Sequence, residues 1–136
     1  MQKRVAPRIR HHRILVVDDE PDLREIIRLN FANFDCMLAG DGCEALDILA
    51  EDSRFDWILT DVQMPRMTGT ALYREIVERY PRLARRFVFM TGSALTDPDH
   101  TLLRSLAWSN RIYTKPFSVA DLALDLAGLR REAMLA

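Results

Sequence analysis

The sequence predicts a single α/β domain, a doubly wound five-stranded parallel sheet with helices on both faces. From Arg13 onward, short apolar runs alternate five times with amphipathic stretches, which is typical of parallel strands joined by crossover helices. The strongest of these runs are fully apolar, as expected for strands that are buried on both faces. The length of 136 residues suits one domain with a hydrophobic core of its own.

The five apolar runs are the predicted strands. They cover residues 14–17, 36–39, 57–60, 87–90 and 111–113. The first helix is predicted after Pro21, a residue that suits the first turn of a helix. Its inner face is expected to carry Leu23, Ile26, Ile27 and Phe31. The second helix is predicted over residues 41–50, with Ala45, Leu46 and Leu49 as its inner stripe.

Three further helices complete the predicted order. Apolar residues at helical spacing mark the third, which ends before Pro81: Leu72, Ile76 and Tyr80. Pro98 is expected to open a short fourth helix that carries Leu102, Leu103 and Leu106. Ser118 and Asp121 form the start of a capping-box-like turn for the last helix, whose apolar residues include Leu122, Leu126 and Leu129.

Charge is unevenly spread along a chain whose formal net charge is only −1. Five basic residues and no acid stand in the first thirteen positions: Lys3, Arg4, Arg8, Arg10 and Arg13. We predict that residues 1–12, including His11 and His12, form a disordered, solvated extension, residues 13–131 the folded domain and residues 132–136 a tail. Contact of the basic arm with nucleic acid or an acidic partner is the alternative, although no aromatic interleaving or helix-turn-helix pattern supports it.

The composition is that of an ordinary soluble globular protein. No apolar run is long enough to cross a bilayer and no apolar segment near the start resembles a signal peptide, so a cytoplasmic location is expected. The two cysteines, Cys36 and Cys43, are too few for a disulfide framework and lack metal-type spacing, so reduced structural roles are expected.

Charged and hydroxyl residues directly follow four of the predicted strands. Asp18 and Asp19 follow the first strand, Asp61 the third, Thr91 the fourth and Lys115 the fifth. Because an open parallel sheet binds its ligands at the carboxyl ends of its strands, these positions predict one site. A single aspartate at a strand end is often only a helix cap or a turn former, but five such positions together favour a function.

Carboxylates gathered in one pocket repel each other unless a cation is present. A hard divalent ion such as Mg²⁺ is therefore predicted. Asp19 and Asp61 are the expected direct ligands, Asp18 is expected to act through a bound water, and the backbone carbonyl of Gln63 is a further candidate.

The same residues predict phosphoryl chemistry. Asp61, on a separate strand from the acidic pair, is the natural nucleophile. Mg²⁺ and Lys115 would offset the repulsion between this carboxylate and an incoming phosphoryl group. The hydroxyl of Thr91 can donate a hydrogen bond to a phosphoryl oxygen.

With these residues the sequence resembles the receiver domains of two-component response regulators. The resemblance covers residues 13–130 and rests on four motifs taken together. These are Val-Val-Asp-Asp-Glu-Pro at residues 16–21, the segment from Asp61 to Gly69, Met90-Thr91-Gly92, and Lys115-Pro116-Phe117.

The resemblance implies a flavodoxin-like receiver fold with strand order 2-1-3-4-5. It also implies Mg²⁺-dependent transfer of phosphate to Asp61 from a histidine kinase or phosphotransfer protein. The domain would be a phosphoacceptor rather than an enzyme, although it would promote its own phosphorylation and dephosphorylation. Thr91 would then move toward the phosphoryl group, the face formed by the fourth helix, fifth strand and fifth helix would rearrange, and a cis bond before Pro116 would direct Lys115.

Two positions near the site need separate interpretation. The family often has Tyr or Phe three residues before the lysine as a switch residue, whereas this chain has Ile112. We predict that Ile112 weakens or replaces that switching step and that Tyr113, on the opposite face of the strand, serves in packing. Gln63, two residues after the nucleophile, either influences the hydrolytic water or is simply exposed.

The output of the domain stays open at the sequence level. Only residues 131–136 follow the last helix, so we expect signalling by protein contact, with no direct DNA binding. A stand-alone receiver and the receiver of a hybrid histidine kinase are both compatible with the sequence, and a homodimer is compatible with either.

Two other classes share features with this sequence. A haloacid-dehalogenase-like phosphatase would carry its nucleophile after the first strand and a second Asp two residues on, where Asp18 is followed by Glu20. A flavodoxin-like cofactor binder would need a hydroxyl-rich phosphate loop after its first strand, and the acids at residues 18–20 would repel that phosphate.

Overall fold

The computed structural model describes residues 12–92, 99–106 and 110–128. Its strands are β1 (Arg13–Val17), β2 (Asp35–Ala39), β3 (Trp57–Asp61), β4 (Phe87–Thr91) and β5 (Arg111–Thr114). All neighbouring strands pair in parallel, and their order is β2-β1-β3-β4-β5. The predicted fold class and strand order are therefore confirmed, and each strand is one residue longer than predicted.

Five α-helices in the described ranges connect and flank the strands. They are α1 (Pro21–Asn30), α2 (Gly42–Glu51), α3 (Gly69–Arg79), α4 (Asp99–Leu106) and α5 (Val119–Ala127), and a 3₁₀-helix (Pro81–Arg86) joins α3 to β4. Pro21 lies in the first turn of α1, as predicted. The predicted residues Pro98 and Leu129 lie outside the described residues.

Side-chain caps explain where three of the helices begin. Asp41, Thr68 and Ser118 each accept a hydrogen bond from a backbone N–H in the first turn of α2, α3 and α5. Such caps satisfy donors that the helix itself leaves unpaired, and each stabilises a helix by about 1 kcal/mol. The cap predicted at Ser118 is thus present, with the N–H of Asp121 as its donor.

The hydrophobic core has two layers, one on each face of the sheet, because successive residues of a strand point to opposite faces. On one face, Leu15, Ile58 and Phe89 pack with buried residues of α2, α3 and α4 such as Leu49, Leu72 and Leu103. On the other face, Val16, Leu59 and Val88 pack with Ile27 of α1, with Phe31 directly after that helix, and with Leu122 and Leu126 of α5. All five residues of β4 are buried.

Two details differ from the sequence prediction. Ile26 was expected on the inner face of α1 but is 47% exposed, because Ile27 and Phe31, four residues apart, face the sheet instead. His12, expected in a solvated extension, lies half-buried with its ring centroid 5.5 Å from that of Phe34.

Both cysteines are free thiols: Cys36 is half-buried and Cys43 is exposed. Within the described ranges, no helix combines the length and the apolar character that crossing a bilayer requires.

Candidate functional site

The predicted acidic residues meet at the carboxyl ends of the two central strands. β1 and β3 are neighbours, and Val17 lies opposite Thr60, so the residues that follow these two positions are brought together. Oxygens of Asp18, Asp19 and Asp61 all lie within 4.8 Å of one another. Asp18 and Asp61 are buried, whereas Asp19 is exposed. The group is therefore a pocket with one side open to solvent.

Asp18 is held firmly by its surroundings. Its N–H donates to the carbonyl of Ala39 at 3.1 Å, and its Oδ1 accepts the N–H of Glu20 at 2.8 Å. Its other oxygen, Oδ2, is buried without a hydrogen-bond partner in the described part of the chain. Burial, together with the nearby charge of Asp61, raises the pKa of Asp18 to about 6, because a low-dielectric environment disfavours the charged form.

Lys115 brings a positive charge to the carboxylates of the site. It follows β5, and its side chain reaches back across the end of β4. Its Nζ lies 3.2 Å from Asp61 Oδ2 and 4.0 Å from Asp18 Oδ2. The peptide bond between Lys115 and Pro116 is cis, as the resemblance implied.

Thr91 ends β4, the neighbour of β3, and Gln63 follows Asp61 in the loop after β3. Thr91 is buried, and its carbonyl accepts the N–H of Lys115 at 2.8 Å. The backbone N–H of Gln63 donates to Asp61 Oδ1 at 3.3 Å. Gln63 as a residue is exposed.

Ile112 and Tyr113 occupy opposite faces of β5, as predicted. Ile112 is half-buried and packs against the layer that contains α2, α3 and α4. Tyr113 packs against the other layer, and its hydroxyl donates to Asp125 Oδ2 in α5. Burial and this hydrogen bond raise the pKa of Tyr113 to about 12, so its phenol keeps its proton at neutral pH.

Two contacts of the site had not been foreseen from the sequence. The guanidinium of Arg24 donates to the backbone carbonyl of Asp18 at 2.6 Å, and side-chain periodicity gives no signal for a contact to the main chain. Gly69, the first residue of α3, lies so close to β3 that a Cβ there would be 2.2 Å from the carbonyl oxygen of Asp61. Its occurrence in the segment from Asp61 to Gly69 was a usable signal for this close approach.

The donor set of this pocket suits a hard divalent cation. It consists of carboxylate oxygens, and one of them, Asp18 Oδ2, is buried without a hydrogen bond among the described residues. A buried carboxylate oxygen in this position gains from a cation. The residues present therefore fit Mg²⁺.

A doubly wound parallel sheet with an acidic pocket and a lysine at its carboxyl edge defines the class of the protein. The sequence model described as "Response regulator receiver domain" matches residues 14–126. The chain belongs to this family, whose members act in two-component signalling.

Individual relatives agree with this assignment. "Response regulator MprA" of Mycobacterium avium is 47% identical over 66 residues, which are 47% of this chain and 28% of that protein. "Response regulator MprA" of Mycobacterium tuberculosis strain H37Rv gives the same figures. The chain therefore matches well under two thirds of the length of these curated relatives.

Solved structures extend the similarity over nearly the whole chain. A response regulator receiver domain protein from Clostridium thermocellum superimposes with a TM-score of 0.72 at 25% identity, over 92% of this chain and 99% of that one. A two component transcriptional regulator AraC from Clostridium phytofermentans gives a TM-score of 0.69 at 28% identity, over 91% and 96% of the two chains. These comparisons give no support to the phosphatase alternative.

Proposed function

We propose that this receiver domain accepts a phosphoryl group on Asp61 from the phosphohistidine of a histidine kinase or phosphotransfer protein, and that this modification switches its contacts with other proteins. One observation carries the proposal. The carboxylate of Asp61 lies in a partly closed acidic pocket with Lys115 Nζ at 3.2 Å. A nucleophilic oxygen and a lysine ammonium therefore stand where a phosphoryl group can reach both.

The reaction is an in-line transfer. A carboxylate oxygen of Asp61 forms a bond to phosphorus as the bond between phosphorus and the histidine nitrogen breaks, and the imidazole leaves with the electron pair. Lys115 stabilises the charge on the transferred oxygens, and the Thr91 hydroxyl donates to one of them. Hydrolysis of the resulting acyl phosphate by water restores Asp61, so the domain promotes both its phosphorylation and its dephosphorylation.

A bound cation completes the proposed site. Asp19, Asp61 and the carbonyl of Gln63 would hold Mg²⁺, with Asp18 acting through a water. When bound, the ion neutralises charge on the carboxylates and on the incoming phosphoryl group. Without it, three carboxylates and a phosphoryl group would face a single lysine.

We further propose that Ile112 takes the place of the aromatic switch residue. A branched aliphatic side chain packed against the core has no aromatic ring that could rotate between a buried and an exposed position. The downstream step would then depend on Thr91 and the backbone of β5.

We also propose a cytoplasmic location and a role as a stand-alone receiver or as the receiver of a hybrid kinase. Homodimerisation is compatible with either role, and no direct DNA binding by this domain is expected.

Native mass spectrometry tests the acceptor role directly. The wild type, Asp61→Asn and a control variant Asp47→Asn, an exposed α2 acid, are treated with phosphoramidate in Mg²⁺ or in EDTA. We expect one added phosphoryl group on the wild type and on Asp47→Asn in Mg²⁺, and none on Asp61→Asn. No adduct on the wild type, or an equal adduct on Asp61→Asn, would refute the proposal.

A further inference from the structure

Asp18 is fixed through its main chain as well as through its side chain. Its N–H is bound by Ala39, its Oδ1 by the N–H of Glu20, and its carbonyl by Arg24 Nη1 at 2.6 Å. The carbonyl contact is the shortest of the three. Together they leave Oδ2 of Asp18 as the oxygen that faces the pocket, 4.0 Å from Lys115 Nζ.

The guanidinium of Arg24 lies close to the loop between β2 and α2. A Cβ placed on Gly40 would lie 3.4 Å from Arg24 Nη1 and 3.5 Å from Glu44 Oε2. Glu44 Oε2 in turn accepts the N–H of Gly40 at 3.2 Å. The half-buried guanidinium of Arg24 therefore lies between the end of β1 and the loop after β2.

The next arginine on the same helix behaves differently. Arg28, one turn further along α1, is exposed and pairs with Glu25 of its own helix. The two arginines thus share a helix and a charge, and only Arg24 contacts a residue of the acidic pocket. This difference provides a matched comparison.

We propose that Arg24 is a positioning residue of the acidic pocket, which holds the carbonyl of Asp18 and thereby keeps the buried carboxylate aimed at a bound divalent cation. The inference rests on the proposed function, because it assumes that the pocket binds Mg²⁺. A charged donor makes a stronger hydrogen bond than a neutral one. Loss of the Arg24 guanidinium would let the turn at residues 18–20 relax, and the carboxylate of Asp18 would lose its fixed direction. Removal of residues that orient metal ligands has this effect in general.

Two physical effects of Arg24 on Mg²⁺ binding have opposite signs. As a nearby positive charge, Arg24 repels Mg²⁺, so its removal would tighten binding if charge alone mattered. As a positioning group, it preorganises an oxygen of the site, so its removal would weaken binding. We expect positioning to outweigh repulsion, because the guanidinium contacts the main chain of Asp18 directly whereas its charge is partly screened by solvent.

Calorimetric titration with MgCl₂ separates the two effects. Arg24→Met, which keeps the length and loses the donors, is expected to bind Mg²⁺ about tenfold more weakly than the wild type, the factor that corresponds to the loss of one charge-assisted hydrogen bond. Arg24→Lys keeps the charge and one donor and should recover part of the loss. The control Arg28→Met should stay within about twofold of the wild type.

Several results would overturn the inference. Equal or tighter binding by Arg24→Met would show that Arg24 acts only as a charge or not at all. If Arg24→Met does not fold, binding by Arg24→Lys that is as tight as in the wild type, or tighter, would show the same. Urea unfolding, measured in EDTA and again in MgCl₂, adds a second readout. If Arg24→Met lowers the free energy of unfolding by the same amount in both, Arg24 has a purely structural role. Absence of Mg²⁺ binding by the wild type would instead refute the metal site of the proposed function.

Discussion

Replacing Asp18 by Asn should stabilise the metal-free protein at neutral and alkaline pH. The carboxylate is buried, and its Oδ2 has no hydrogen bond within the described structure. Its negative charge is therefore a cost to folding whenever no cation is bound. Asn has the same shape, keeps an oxygen for the N–H of Glu20, and carries no charge next to Asp61.

The magnitude follows from the pKa of Asp18, which folding raises from 3.8 to about 6. An acid whose pKa is higher in the folded state stabilises the fold fully below its unfolded pKa and loses that contribution as the pH rises through the folded pKa. A shift of this size corresponds to about 3 kcal/mol. Because the pocket opens to water beside Asp19, we reduce the expected gain of Asp18→Asn to about 2 kcal/mol at pH 8.

Urea unfolding in EDTA between pH 4 and pH 8 measures this gain. The advantage of Asp18→Asn should fall to about half its value by pH 5 and nearly vanish at pH 4. The exposed Asp19→Asn is the control and should change the free energy of unfolding by less than about 0.5 kcal/mol. In saturating Mg²⁺ the order should reverse, since the wild type gains stability from binding. Lower stability of Asp18→Asn in EDTA at pH 8 would refute the reasoning.

Three other substitutions test the packing and the switch. Gly69→Ala would place a Cβ 2.2 Å from the carbonyl oxygen of Asp61, so it should lower the free energy of unfolding in urea by about 2 kcal/mol and slow phosphorylation. Its control is Gly92→Ala, whose new Cβ would have no described atom within 4 Å. Equal stability of the two variants would contradict the close approach at Gly69. Asn110→Ala removes the side-chain hydrogen bonds to the carbonyls of Ala84 and Phe87 and should cost about 2 kcal/mol. A melting temperature that stays within about 1 °C of the wild type would argue against this cost. Ile112→Tyr should alter the phosphorylation-linked change in partner contacts or oligomeric state, measured by native mass spectrometry, and an unchanged response would count against a special role for Ile112.

The sheet was predictable because its strands are short apolar runs bounded by polar residues. A strand such as β4, which is buried along its whole length, is expected in the interior of a parallel sheet that helices cover on both faces. The positions that follow the strands then had to share one edge, so the proximity of Asp18, Asp61 and Lys115 followed from topology without knowledge of their distances.

The sequence was less informative where contacts involve the main chain. Arg24 binds a carbonyl, so no complementary side chain marks its role in the sequence. Ile26 shows a related limit: an apolar residue at the margin of a helical stripe can point to either side, and here Ile27 took the buried position. The strand order came from the resemblance to a family and not from the periodicity of the chain.

The charges of the site rest on parts of the fold that differ in burial. Asp18 and Asp61 extend from the central strands β1 and β3, in which every residue but the first is buried. Lys115 arrives from β5, an edge strand with no fully buried residue. If the proposed phosphorylation adds negative charge at Asp61, the carboxylates have little room to move because the core around them is closely packed. The cation on the edge strand is freer to follow the new charge, so the response to phosphorylation should develop at β5 and the helices beside it.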